Sequence, residues 1–232
     1  MTQSQQKNVT YLDEKQVELL KNLPEQVKLI MLGCDTEFFQ NKENAIKILQ
    51  QLSGLGRDIS VITKLSLPID FIKELKTIDN KLNKDGNFLT FSISVPFLNS
   101  YKKWEPRVPS PQKRIETLIN AFQEDLKTLV AIRPLFPSIS DNELEEIVLL
   151  TKDYCSGYYS GPLYLKTLDL LEDEDKSQLK IDRIQPEWMP KGNIFYRIER
   201  KNQLELLKNI LAKYNKELYE GAAEAVKYIK NK

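Results

Sequence analysis

Short apolar segments alternate along this chain with amphipathic helical patterns, at a period of roughly 30 residues. The strand-like segments fall at residues 27–33, 59–64, 88–95 and 127–134, and each is rich in Val, Ile, Thr or Phe. Strands separated by helices pair in parallel, because each crossover returns the chain to the same edge with the same hand. The pattern therefore predicts an α/β fold.

Helical patterns separate these strands. They cover residues 44–52, 69–82, 111–126 and 141–154, and a further helix capped by Asp13 precedes the first strand. Ser110 comes directly before Pro111 and predicts an N-cap followed by proline in the first turn. Ser140 has Glu143 three residues later, which predicts a capping box.

The second half of the chain predicts a further strand and a long helix. Residues 156–165 predict a fifth strand, and the charged segment 169–180 predicts a short helix with a loop. Residues 202–229 carry an apolar stripe that predicts one long C-terminal helix packed against the sheet. The domain division predicted is a tail with the first helix (1–26), a barrel (27–168) and a C-terminal extension (169–232).

Composition narrows the class of partner. The 34 basic and 33 acidic residues give a net charge of +1, so nucleic-acid binding is not signalled by bulk charge. No apolar run approaches the roughly 18–20 residues that span a bilayer, so no membrane association is predicted. Two isolated cysteines do not suggest a disulfide framework, and a cytoplasmic location is expected.

The same composition restricts metal chemistry. The chain has no histidine, and its two cysteines, Cys34 and Cys155, lie far apart. A four-iron cluster needs thiolates grouped within a few residues of one another. The sequence therefore predicts no metal ligands within this chain.

Five short segments occur in the order of a known family. They are residues 33–43 (GCDTEFFQNKE), 62–64 (ITK), 92–94 (SIS), 105–111 (EPRVPSP) and 134–141 (PLFPSISD). Through them, the chain from about residue 11 to residue 165 resembles radical S-adenosylmethionine (SAM) proteins, in particular the branch that contains spore photoproduct lyase. The segment 105–111, followed by Arg114 and Ile115, is the most specific match.

The resemblance implies a partial (β/α)6 TIM-like barrel with mostly parallel strands and its first strand missing. SAM would lie across the carboxyl ends of the strands, where open α/β sheets bind ligands. The family carries a Cys-x-x-x-Cys-x-x-Cys loop after its first strand, and this chain resembles the part that follows. Cys34 and Cys155 cannot replace that loop. A [4Fe-4S] cluster is therefore expected only through a partner chain.

The resemblance also implies SAM contacts near the ends of the first two strands. Thr36 and Glu37 occupy the place where the family contacts the SAM amino group, and a carboxylate suits an ammonium. Alternatively, Glu37 only begins the next helix. Lys64 would neutralise the SAM carboxylate, or else it is a solvated lysine at a strand end.

Further candidates follow on the next strands. Ser92 and Ser94 would meet the ribose, or they fill the interior of a narrow barrel. Arg107 and Arg133 suit a carboxylate or phosphate contact. Alternatively, Arg107 pairs with Glu105 and holds its own loop.

Cysteine and tyrosine residues have both functional and structural interpretations. The related lyases use a cysteine near the second strand as a hydrogen-atom donor, which makes Cys34 a candidate catalytic residue. A lone cysteine is more often a small buried hydrophobe, and Cys155 is assigned to the core. Tyr154, Tyr158, Tyr159 and Tyr164 are assigned to strand packing.

Together these features predict one part of a split radical SAM enzyme. A partner protein would supply the missing first strand and the cysteine motif, and would pair with the open edge at residues 27–33. Reductive cleavage of SAM to a deoxyadenosyl radical would then depend on that partner. The alternatives are a non-catalytic, degenerate SAM-binding or scaffold subunit and a gene fragment that folds poorly. The sequence does not identify the substrate.

Overall fold

The computed structural model describes residues 14–34, 36–171, 175–187 and 189–231. The helices are α1 (Glu14–Lys21), α2 (Lys42–Leu52), α3 (Ile69–Asn83), α4 (Tyr101–Trp104), α5 (Pro111–Gln123), α6 (Asp141–Thr151), α7 (Gln203–Lys213) and α8 (Ala222–Lys230). The strands are β1 (Leu29–Leu32), β2 (Asp58–Thr63), β3 (Leu89–Ser94), β4 (Lys127–Ile132), β5 (Tyr158–Ser160), β6 (Leu163–Leu165), β7 (Leu179–Ile184), β8 (Phe195–Arg200) and β9 (Leu218–Tyr219). The predicted cap Asp13 lies outside the described residues.

Six parallel strands form one sheet in the order β1-β2-β3-β4-β5-β9. The sheet curls into part of a barrel, with helices around it. This confirms the predicted α/β class and the partial TIM-like barrel. The parallel pairing brings the carboxyl ends of the strands to one edge, where ligands bind in open α/β sheets.

The main core lies between the sheet and the helices that connect its strands. Alternate strand residues such as Ile59, Phe91 and Val130 are fully buried there, together with helical residues such as Leu75 and Leu118. β3 is buried on both faces, although Thr90, Ser92 and Ser94 alternate with its apolar residues. Among the residues that the structure describes, no helix combines the length and apolar character that a bilayer crossing requires.

The two predicted N-caps are present, but only one half of the capping box forms. Ser110 accepts a hydrogen bond from the backbone of Lys113, and Ser140 accepts one from Glu143. The Glu143 carboxylate does not return to the N-cap. It accepts the backbone N–H groups of Leu98 and Asn99 at 2.7 and 2.9 Å, so it secures the loop that follows β3.

The predicted fifth strand, residues 156–165, divides into two strands in different sheets. β5 ends at Ser160 in the parallel sheet, whereas β6 begins at Leu163 in a three-stranded antiparallel sheet of order β6-β8-β7. Gly161 and Pro162 separate them, and proline has no backbone N–H to continue a ladder. The small sheet stands beside the carboxyl ends of the parallel strands.

The prediction of one long helix over residues 202–229 is wrong. The segment forms α7, the short strand β9 and then α8. Asn215 has a φ of 54°, and the backbone N–H of Lys216 bonds to Leu211, which ends α7 in a left-handed turn. Gly221 then precedes α8. The two helices carry apolar stripes in similar phase, so their combined pattern imitated a single helix.

The last helix, α8, lies against the face of the sheet opposite to the main core. Ala222 and Ala225 pack there with Leu129, Ala131 and Tyr159. At the end of α8, the Lys230 ammonium binds both carboxylate oxygens of Asp58 at 3.1 and 2.9 Å. The helix therefore fills the inside of the half-barrel at the amino-end side of β2.

Candidate functional site

A cleft of about 630 Å³ opens at the carboxyl ends of the parallel strands. Seven of the eight residues that the sequence proposed as site residues line it: Cys34, Thr36, Glu37, Lys64, Ser94, Arg107 and Arg133. Small-molecule sites typically enclose roughly 300–1,000 Å³. The cleft therefore has the size and the position of a ligand site.

Ser92 is the proposed residue that does not line the cleft. It lies one inward-facing position before Ser94 on β3 and is fully buried. Ser94 does line the cleft, where its hydroxyl donates to the backbone oxygen of Arg133 at 3.4 Å. Of the two serines, Ser94 is therefore the one placed at the cleft wall.

The Glu37 carboxylate connects the loop after β1 to the end of β2. Its Oε1 accepts the Thr63 hydroxyl at 2.8 Å and the Phe39 backbone N–H at 3.1 Å, and its Oε2 accepts the Lys64 backbone N–H at 3.0 Å. Glu37 caps a short 3-10 turn, as the structural interpretation expected. A carboxylate has about four acceptor positions, so Oε2 retains one that a ligand ammonium can use.

Gly33 allows the ends of β1 and β2 to approach closely. Its φ is +86°, and an added Cβ would lie 2.2 Å from the backbone oxygen of Ile62. Both features require glycine. The close approach positions the following residues, Cys34 to Glu37, against the end of β2.

Lys64 is held by a carboxylate within the protein. Its ammonium lies 2.6 Å from Glu105 Oε1, and Arg114 Nη1 lies 2.7 Å from Glu105 Oε2. Glu105 therefore pairs with Lys64 and Arg114, and not with Arg107 as the structural alternative proposed. Because Lys64 already has a carboxylate partner, it is less suited to neutralise a ligand.

Arg114 is a positioning residue that the sequence analysis did not select. It is fully buried, and it donates to the backbone oxygens of Pro109 and Ser94 at 2.8 and 3.0 Å. With Glu105, it joins α5 to the end of β3 and to the loop that carries Arg107. The signal was present in the segment 105–114, which the resemblance singled out as a whole.

Arg107 and Arg133 line the cleft from two different loops. Both residues are exposed, and neither forms an ion pair with any residue that the structure describes. Arg133 lies over Gly161, where an added Cβ would come within 3.2 Å of its Nε. These two guanidinium groups are therefore placed to meet an anionic group in the cleft.

Tyrosine placement differs from the expectation of strand packing in one case. Tyr158 and Tyr159 are buried, and burial raises the pKa of both phenols, so they stay protonated at neutral pH. Tyr164, in contrast, lines the cleft from β6. Its position depends on the antiparallel sheet, which the sequence pattern did not predict.

The two cysteines lie in unlike environments. Cys34 is exposed in the cleft, whereas Cys155 is buried in the main core, where burial raises the pKa of its thiol to about 11. Within the described ranges, no group of three or more potential ligands could hold a metal ion. The sequence has two cysteines, one exposed in the cleft and one in the core, and these two separate thiols do not fit a [4Fe-4S] cluster, which needs thiolates close together.

Comparisons with known proteins address the fold. No protein-family model matches the chain. The uncharacterized protein MJ0683 of Methanocaldococcus jannaschii is 26% identical in an alignment 165 residues long that covers 65% of this chain and 58% of that protein. At this identity and coverage, the match does not establish a family.

Solved structures with a similar fold include two from different enzymes. Spore photoproduct lyase with bound AdoMet aligns with a TM-score of 0.59 at 11% identity, over 86% of this chain and 61% of that one. A domain of pyruvate-formate lyase-activating enzyme from Bacteroides vulgatus aligns with a TM-score of 0.57 at 14% identity, over 83% and 98%. At these identities the likeness shows a shared fold, the partial TIM-like barrel, and no more. The chain spans about three fifths of the length of MJ0683 and of the lyase.

Proposed function

We propose that this chain is the SAM-binding part of a split radical SAM enzyme, whose partner polypeptide supplies the cysteines that hold the [4Fe-4S] cluster. The observation that carries this proposal is that seven of the eight proposed site residues line one cleft at the carboxyl ends of the strands. The fold of SAM-binding neighbours supports it. In this proposal the chain binds and orients SAM, and the partner contributes the cluster.

The cleft offers complementary groups for the amino-acid end of SAM. Glu37 Oε2 has an acceptor position for the ammonium. Arg107 and Arg133 supply cations for the carboxylate, whereas Lys64 remains paired with Glu105. Thr36 and Ser94 add hydroxyls at the wall.

A binding experiment with the purified chain tests the SAM assignment. We expect saturable SAM binding by calorimetry, and about tenfold weaker binding in Arg107→Gln or Arg133→Gln, which is the loss expected for one charge-assisted contact. Binding of 5′-methylthioadenosine, which lacks the carboxylate, should be unchanged in both variants. Arg183→Gln, an exposed arginine outside the cleft, is the matched control.

The outcomes separate the proposed role from its alternatives. Absence of saturable SAM binding, or equal SAM affinity in all three variants, would contradict the assignment of the cleft. SAM binding by the purified chain fits both a split enzyme and a non-catalytic SAM-binding subunit. Association with a cluster-bearing partner protein separates these two roles.

The open edge of the sheet supports the partner chain. Among the described residues, β1 pairs with β2 on one side only. The backbone oxygen of Lys28 accepts a hydrogen bond from the Asp58 N–H. Backbone groups in a parallel ladder alternate in direction, so those of Ile30 and Leu32 point towards β2 and those of Met31 point outwards. An exposed row of backbone groups is a template for an added strand.

The substitution Met31→Pro tests this edge. It removes an outward N–H and leaves the β1–β2 bonds in place, so we expect at least about tenfold weaker association with the cysteine-motif protein. Met31→Thr, which keeps the N–H, is the matched control. The measurement is anaerobic co-purification with that protein and the brown absorbance of a cluster-containing complex. Equal recovery with Met31→Pro and Met31→Thr would exclude strand addition at β1.

A further inference from the structure

A second cavity, of about 250 Å³, lies beside the cleft and is separated from it by the end of β5. Gly161 and Pro162 form the shared wall, because Pro162 lines both spaces and a Cβ added to Gly161 would lie 3.2 Å from Nε of Arg133 in the cleft. The other walls come from β8, the first turns of α7 and the end of β9. Its volume suits one small chemical group.

Three cations line this second cavity: Arg197, Arg200 and Lys208. Arg197 pairs at 3.0 Å with Glu199, which also lines the cavity. The carboxylates that neutralise the other two cations lie outside the lining. Ion pairs with solvent-exposed partners contribute little to stability.

The partners of Arg200 and Lys208 are both solvent-exposed. Asp141 lies 2.6 Å from Arg200 and its side chain is 60% exposed. Glu205 lies 3.7 Å from Lys208 and its side chain is 66% exposed. A ligand anion inside the cavity can therefore take their place without leaving a buried carboxylate unpaired.

The first turn of α7 reinforces the positive character. Its N-cap, Asn202, makes no side-chain hydrogen bond to the helix, and Gln203 and Leu204 line the cavity. Uncapped N–H groups and the helix dipole favour an anion at this end. Gln203 is 2% exposed, and its amide donates to the Phe136 backbone at 2.9 Å, which fixes the turn in place.

One carboxylate opposes this arrangement. Glu220 lines the cavity and forms no ion pair with any residue in the described part of the chain. With three cations against Glu199 and Glu220, the lining keeps a net charge of +1 before the helix dipole is added. Leu135, Leu204 and Leu218 supply an apolar surface next to the charged groups.

We infer that this second cavity binds the anionic group, a carboxylate or a phosphate, of a small molecule. Arg200 and Lys208 hold the anion against the first turn of α7, and the leucines contact the adjoining apolar part. Where the proposed function holds, the shared wall lets a substrate anchored here extend over Pro162 towards the SAM cleft.

A titration followed by ¹⁵N NMR tests the second cavity on the full chain without SAM. Inorganic phosphate and acetate are the two probes, at ionic strength held constant with chloride. We expect saturable shifts of the Gly161, Leu204 and Glu220 amides with at least one probe. The double variant Arg200→Gln/Lys208→Gln should weaken that binding at least about tenfold. Arg183→Gln, an exposed arginine on β7 outside the lining, is the control and should bind as wild type.

The probe that binds more tightly identifies the anionic group as a phosphate or a carboxylate. Shifts that do not saturate with either probe, or wild-type affinity in the double variant, would overturn the inference. Neither result depends on SAM, so failure of the SAM cleft and failure of the second cavity are recorded by different experiments.

Discussion

Replacing Gly33 with alanine is expected to lower the free energy of unfolding by about 2–6 kcal/mol. A non-glycine residue at a φ of +86° carries backbone strain of roughly 1–3 kcal/mol. The new Cβ would also lie 2.2 Å from the Ile62 backbone oxygen, so one of the two strand ends must move. Crowding of this kind costs roughly another 1–3 kcal/mol.

The movement should also be visible at the cleft. Gly33 precedes Thr36 and Glu37, and Glu37 bonds to the backbone of Lys64 immediately beyond β2. Displacing the end of β1 therefore weakens the connection that Glu37 makes, and ligand affinity should fall together with stability.

Urea unfolding measures the Gly33→Ala effect against a matched control. Gly54 has no atom within 4 Å of an added Cβ and no positive φ, so Gly54→Ala should change the free energy of unfolding by less than about 1 kcal/mol. If both variants unfold at the same urea concentration, the tight β1–β2 approach does not exist in solution.

The βα alternation could be predicted from the sequence because its signals are local. Apolar period, serine N-caps and the Ser110-Pro111 helix start all act within a few residues. The grouping of the cleft residues could also be predicted, because the carboxyl ends of parallel strands meet at one edge of the sheet. Lys64, Ser94 and Arg133 each stand at or just beyond such an end.

Features that depend on distant contacts could not be predicted in this way. The sequence placed Arg107 beside Glu105 as a possible partner, and only the packed structure shows that Glu105 pairs with Lys64 and Arg114. Glu143 left its expected capping role because the loop after β3 presents two backbone donors. In both cases, contacts formed only in the packed structure determined the partners of the carboxylate.

The C-terminal helix illustrates the same limit. The stripes of α7 and α8 are each correct as helical patterns, but Asn215 and Gly221 at the turns between them carried the decisive information. β9 has only two residues, and its pairing with β5 depends on the position of that strand in the sheet. A strand this short has no recognisable period of its own.

Replacing Arg114 with methionine is expected to destabilise the fold by about 3–5 kcal/mol, because it removes one partner from a buried ion pair. Arg114 is fully buried, and the Glu105 side chain is 8% exposed. Without the guanidinium, Glu105 keeps only Lys64, and the backbone oxygens of Pro109 and Ser94 lose their donors. The loop that carries Arg107 should loosen as well.

Two further variants decide whether the unpaired charge is the cause. Lys113→Met, at an exposed position on the same helix, should change stability by less than about 0.5 kcal/mol. Adding Glu105→Leu to Arg114→Met removes the buried carboxylate, and should recover at least about 1 kcal/mol in urea unfolding. A double variant that is no more stable than Arg114→Met would show that lost packing and backbone contacts dominate over the buried charge. The Lys64 side chain is 36% exposed, so water can solvate its ammonium once Glu105 is gone. The recovered free energy of unfolding therefore reflects removal of the unpaired carboxylate, without a new unpaired buried cation.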